Sequence, residues 1–147
     1  MSRLNLNIDF VLETTQNPDL AEAFRDCRQV VLDSIDQNFL TASGPDGATW
    51  PPRAHAGDGH PLLIETGSLR IAATGRGPGH VTFWHPLEFS IGIDKNVQLG
   101  GIPGAAVHNF GYPPFNIPQR EYLAPTEGAL DVCEQIIADA VSGQLGI

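Results

Sequence analysis

The side chains able to do chemistry in this sequence are five histidines, at positions 55, 60, 80, 85 and 108, two cysteines, Cys27 and Cys133, and 17 Asp or Glu residues. A zinc site gathers three or four ligands at ~2.0–2.3 Å, commonly delivered as closely spaced pairs. His55 and His60 sit in the glycine-rich stretch RAHAGDGH. His80 and His85 are an odd number of positions apart, which places them on opposite faces of a regular strand. Neither pair reads as a metal site. The two cysteines fall in two separate apolar helical patterns and form no C-x-x-C, so they read as reduced core thiols. No G-x-S-x-G elbow offers a nucleophilic serine, and no carboxylate is singled out as a general acid or base. GRGPG, at 75–79, has the glycine content of a phosphate-cradling loop, but no Lys and Ser/Thr follow it. Pro78 also removes an N–H donor, and the stretch reads as a hairpin tip.

That leaves His108, inside AAVHNFGYPPFNIPQREYLA at 105–124. Pro113, Pro114 and Pro118 fix φ and disfavour helix just before them, so YPPFNIPQ reads as a rigid extended segment. Phe110, Tyr112, Phe115 and Ile117 are too many large apolar groups for a solvated loop, and they are expected under the sheet or against another chain. With no second ligand, base or nucleophile beside it, His108 is expected to satisfy hydrogen bonds at a turn. The segment reads as scaffold; no catalytic residue, metal or cofactor is assigned. A small metal-dependent hydrolase using His108 with His80 or His85 is the distant alternative.

Several elements must position these residues. LNLNIDFVL, at 4–12, alternates Leu4, Leu6, Ile8, Phe10 and Leu12 with polar side chains, the pattern of a half-buried strand. Asn17, Pro18 and Asp19 then supply a helix start. The helix runs to about residue 40, with Leu20, Phe24, Cys27, Val31, Ile35 and Phe39 as its inner stripe and Asp36 among the charges elsewhere. Residues 41–61 read as a long loop or arm anchored by Trp50. LLIETGSLRIAAT, at 62–74, reads as a short turn or helix followed by a strand, and HVTFWH and LEFSIGID as two more strands. Thr126 caps a last helix with Leu130, Cys133, Ile136, Ile137, Ala140 and Val141 on one face. The expected fold is α+β: one domain over 1–147, a small, mainly antiparallel sheet packed against the N-terminal and C-terminal helices, with long loops.

Composition narrows the partners. A chain of 147 residues with 41% hydrophobic and 17% charged residues can bury a core, while 16 Gly and 12 Pro put much of it in loops. A formal charge of −9 argues against a broad phosphate-binding face and is compatible with DNA sliding past an acidic wall. The first residues lack the apolar core of a signal peptide, and no run approaches the ~20 residues that span a bilayer, so a soluble cytoplasmic chain is expected.

In order along the chain, GATWPP, PLLIETGSLRIAATG, AAVHNFG and IPQREYLA, the last leading into an amphipathic helix, resemble the phage virion morphogenesis family of tail completion proteins in tailed bacteriophages. The matching positions are Trp50, Pro51, Leu63, Thr66, Gly67, Leu69, Arg70, His108, Phe110, Gly111, Ile117, Pro118, Arg120, Tyr122 and Leu123. The sequence departs from the family pattern in RAHAGDGH after the Trp-Pro, in Ala105-Ala106 before the His-x-Phe-Gly element, and in a longer middle. The resemblance implies a structural, non-enzymatic virion protein of the neck, which completes the tail and joins it to the DNA-filled head. It implies a six-fold homo-oligomeric ring in contact with adaptor or portal and with tail proteins, and DNA passing through the lumen without specific binding. The alternative within the neck is a tail terminator or head-closure ring. Arg120 is expected in a buried or interfacial salt bridge, with Glu65 or neighbours of Glu121 as its acid.

Overall fold

The computed structural model describes residues 3–9, 19–53, 62–64, 67–85, 88–94, 97 and 105–146. In chain order its elements are β1 (Arg3–Asp9), α1 (Ala21–Thr41), α2 (Ser68–Ala73), β2 (His80–Trp84), β3 (Glu88–Asp94), α3 (Ala105–Phe110) and α4 (Glu127–Leu145), with one 3-10 turn over Pro113–Phe115. The class is α+β, with both long helices where the sequence puts them. All strand pairs are antiparallel in the order β1-β3-β2, with Leu6 opposite Ile91 and Thr82 opposite Ile91 on the other side. Phe89, Ile91 and Ile93 of the central strand are fully buried, which explains why LEFSIGID takes the middle of the sheet.

In α1 the whole inner stripe from Leu20 to Phe39 is buried. At its start the Asp19 carboxylate accepts the Ala21 N–H at 3.0 Å, while Asn17 and Pro18 lie outside the described residues. At its end Ala42 turns left-handed, with φ 50°, and its N–H returns to the Phe39 and Asn38 carbonyls. Thr126 caps α4 as expected, its hydroxyl accepting the Ala129 N–H at 3.2 Å. Its own N–H donates to Ser34 Oγ at 2.9 Å, which ties the start of α4 to α1. Between the two helices Cys27 and Cys133 are buried and free, each Sγ 3.6 Å from the other's carbonyl oxygen. Hydrogen bonding to Cys133 and burial hold the Cys27 thiol far above the usual thiol range. Leu130 departs from the expected inner face of α4 and is exposed.

Four further expectations need correction. The strand expected within 69–74 is the helix α2: Leu69, Ala72 and Ala73 are buried at helical spacing, and two alanines favour helix over strand. GRGPG therefore joins a helix to β2 and is not a hairpin tip; β2 pairs antiparallel with β3, the next strand. AAVHNF is a short helix, so His108 is helical and not at a turn. YPPFNIPQ is not extended throughout: Pro113–Phe115 form a 3-10 turn closed by the pairing of Tyr112 with Ile117. Of the arm expected at 41–61, the first part folds back, with Ser43 paired to Thr49 and the Trp50 N–H donating to the Ala42 carbonyl at 2.8 Å. Residues 54–61 lie outside the described residues. Among the described residues no helix is long and apolar enough to cross a membrane.

Candidate functional site

Three of the four motif segments meet at the C-terminal end of α1. Arg120 is buried, and its guanidinium donates from Nε to the Pro51 carbonyl at 2.9 Å and from Nη2 to the Pro52 carbonyl at 3.0 Å. The expected salt bridge is thus a pair of bonds to backbone carbonyls; Glu65 lies outside the described residues. The Trp50 indole N–H donates to the Glu121 carbonyl at 3.0 Å, so the two segments bind each other from both sides. The Arg120 N–H donates to the His108 carbonyl at 2.9 Å, which brings in α3.

Tyr122 fills the centre. Its ring is fully buried, packs at 5.3 Å from Phe39, and Phe39 meets Trp50 edge-on at 5.9 Å. Aromatic pairs of this kind contribute about 0.5–1.5 kcal/mol each beyond the burial itself. The Tyr122 hydroxyl donates to the Ala105 carbonyl at 2.6 Å. Asn109 Oδ1 accepts the N–H groups of Tyr122 and Leu123 at 3.1 and 3.0 Å, and Asn38 Nδ2 donates to the carbonyls of Tyr122 and Ala124, both at 3.0 Å. A segment with no helix or strand partner thereby has its buried backbone groups satisfied by two asparagine side chains.

The fourth motif is tied to the same helix one turn back. Leu63 is buried with φ 61°, Gly67 has φ 86° just before α2, and Leu69 is buried; Thr66 lies outside the described residues. Arg70 grips Asp36 with Nε at 2.7 Å and Nη2 at 3.2 Å, and Arg76 adds a contact at 3.1 Å. The hydrogen bond from Arg70 holds the Asp36 carboxyl below its usual range against the opposing effect of burial. Asp36 was expected among the outward charges of α1 and is buried instead.

Of the three described histidines, one is fully hydrogen-bonded and two stand apart. His80 Nδ1 lies 2.8 Å from the Ala72 carbonyl, which can only accept, so Nδ1 carries the hydrogen. Its Nε2 then accepts from Arg28 at 3.0 Å and from the Thr82 hydroxyl at 2.7 Å. His85 is exposed, 4.0 Å from Glu88. His108 has Nδ1 buried with no hydrogen-bond partner among the described residues, and burial, then the nearby Arg120 charge, push its pKa down. No group of three His, Cys, Asp or Glu side chains able to hold a metal occurs among the described residues, and His55 and His60 lie outside them.

What the segment presents outward is apolar. Phe110 and Phe115 are 59% and 74% exposed and Tyr112 is 38% exposed, so they do not pack under the sheet; Ile117 and Pro118 are half-buried. Gly111 is required at its position: φ is 80°, and a Cβ would meet the Gln119 nitrogen at 3.0 Å. Sequence reasoning missed Asp36, Asn38 and Asn109. Their signal is polarity within short reach of an apolar stripe, where a side chain must find a partner on another element. Compared with family models, curated proteins and solved structures, the chain matches none of them.

Proposed function

We propose that this chain is a structural, non-catalytic virion protein of a tailed bacteriophage neck, which completes the tail and joins it to the DNA-filled head as a ring of identical copies. The observation that carries the reading is the use made of the motif residues. Trp50, Pro51, His108, Arg120, Tyr122 and Leu123 are consumed in one hydrogen-bonded knot at the end of α1, and Leu69 and Arg70 in a second attachment to it. The Trp50, Arg120 and Tyr122 side chains are spent on backbone carbonyls and hold shape; they are not poised against a substrate.

Two properties support the same reading. The knot fixes a rigid segment that turns three aromatic rings outward, as an assembling subunit requires. The charge of −9 suits a lumen through which DNA slides without sticking. The test is a phage lysate made without this protein. DNA-filled heads and finished tails that fail to join are expected; tails of uncontrolled length would assign the chain to the tail terminus instead, and infectious joined particles would overturn the reading.

A further inference from the structure

Cys27 of α1 and Cys133 of α4 face each other directly. Ser34 Oγ accepts the Thr126 N–H at 2.9 Å, and from that tie each cysteine lies seven residues away, backward along α1 and forward along α4. Equal steps in opposite directions are two turns of an antiparallel helix pair held in one register. Beyond the cysteines the Gln144 side-chain amide holds the backbone of Asp19, so the register is pinned on both sides. Each sulfur lies 3.6 Å from the other's carbonyl oxygen, and the two thiols interact directly. A sulfur is two bonds from its own Cα, so reciprocal contacts of this kind bring the two backbones close. A disulfide needs such an approach, with an S–S bond of ~2.05 Å and Cα atoms about 4.4–6.8 Å apart.

Both sulfurs are fully buried, so a reagent reaches them when α4 lifts from α1. The helix is built to do so more readily than the sheet. It packs on α1, and among its described side chains only Cys133 and Ile137 are buried. A helix with so little apolar surface in the core opens at a fraction of the cost of global unfolding.

We propose that Cys27 and Cys133 form a redox switch, two thiols in a reducing medium and an α1–α4 disulfide once a peroxide has acted on them. The thiolate exposed by an opening attacks one oxygen of hydrogen peroxide; the O–O bond breaks, a sulfenic acid forms and the other oxygen leaves as water. When α4 settles back, the second sulfur attacks the sulfenic sulfur. The S–O bond breaks, the S–S bond forms and a second water departs. One peroxide is thereby reduced to two waters, and the two thiols lose two hydrogens. A thiol reductant restores the pair by exchange. The bond joins positions 106 apart, and a long closed loop is where a crosslink constrains the unfolded chain most. It also suppresses the opening of α4 through which it formed. The switch does not rest on the neck reading.

The experiment treats the full chain, purified under reductant and then freed of it, with excess hydrogen peroxide in native buffer. The expected product is a monomer lighter by two hydrogens, with Cys27 and Cys133 in one crosslinked peptide. Its urea midpoint should rise by about 1–2 M, and its α4 amides should exchange more slowly by a larger factor than those of the sheet. Dithiothreitol should reverse all three changes, and Cys27→Ser and Cys133→Ser should each abolish the link. If a serine variant fails to fold, the mapped peptide of the unaltered chain decides. Thiols left intact or carried to sulfinic acid without a link, disulfide-linked dimers, a link that forms only in urea, or an oxidised chain that unfolds at lower urea than the reduced one would each overturn the switch. Infectious particles made without the protein would remove the neck reading and leave a mapped disulfide standing.

Discussion

Arg120 and Pro51 stand 69 positions apart, and the Arg120 Nε–H donates to the Pro51 carbonyl at 2.9 Å. Pro51 and Pro52 lie in no helix or strand, so no backbone ladder serves their carbonyls. One guanidinium serves both Pro51 and Pro52 because its donors form a fixed fork. Replacing Arg120 with Met removes two charge-assisted bonds and is expected to destabilise by about 2–4 kcal/mol in urea unfolding. Lys, lacking the fork, should recover at most about half of that loss. A change under about 0.5 kcal/mol for the Met variant, the scale of an ordinary surface substitution, would show that the bridge holds nothing.

Asn109 should matter more than its size suggests. Asn109→Ala strands the N–H groups of Tyr122 and Leu123 and is expected to cost about 2–3 kcal/mol, with faster hydrogen exchange at those two amides above all others. Tyr122→Phe, which loses one bond to the Ala105 carbonyl and keeps the ring, should cost only about 1 kcal/mol. The reverse order would mean that the hydroxyl, not the asparagine, organises the segment.

Around Asp36 the two arginines are expected to differ. Arg70 has a side chain 25% exposed and pairs in two bonds, whereas the side chain of Arg76 is 55% exposed. Arg76→Ala should fall within the surface-pair range of about 0–1 kcal/mol, and Arg70→Ala should exceed it. Asp36→Asn, which leaves both cations without their carboxylate, should cost the most of the three by urea midpoint. Equal effects of Arg70→Ala and Arg76→Ala would contradict the assignment.

Much of this was legible in the sequence, and the failures share a cause. The stripe from Leu20 to Phe39 and the cap at Thr126 are periodic or local signals, and both appear where expected. The helices α2 and α3 are six residues each, too short for a period to show, and depend on tertiary partners such as Asp36 for Arg70 and Tyr122 for Asn109. Charge is visible in a sequence and points Arg120 to an acid, while two proline carbonyls outside any helix or strand are not visible there.

Stability should fall as pH drops below about 6.5, the ordinary histidine value. His80 is held below it chiefly by burial, with the Arg28 charge adding to the effect, and His108 by burial and then Arg120. Between the unfolded and folded pKa values the unfolded chain binds more protons, so the contribution is present above that window and lost through it. Asp36 acts in the same direction at lower pH: its depressed pKa gives stability that is kept at neutral pH and lost only as pH falls through the carboxylate region. Urea midpoints from pH 7.5 to 5.5 should decline, and His80→Gln with His108→Asn should flatten the slope. A midpoint rising toward pH 5.5 would reverse the assigned histidine states.

The central claim is a place in a particle, and a reconstruction of the intact virion at side-chain resolution reads it directly. The account predicts a ring of this chain in the neck, between the DNA-filled head and the tail tube, with each copy's Arg120 on its own Pro51 and Pro52. Density for this chain elsewhere in the particle, or particles complete in head, neck and tail without it, would contradict the account.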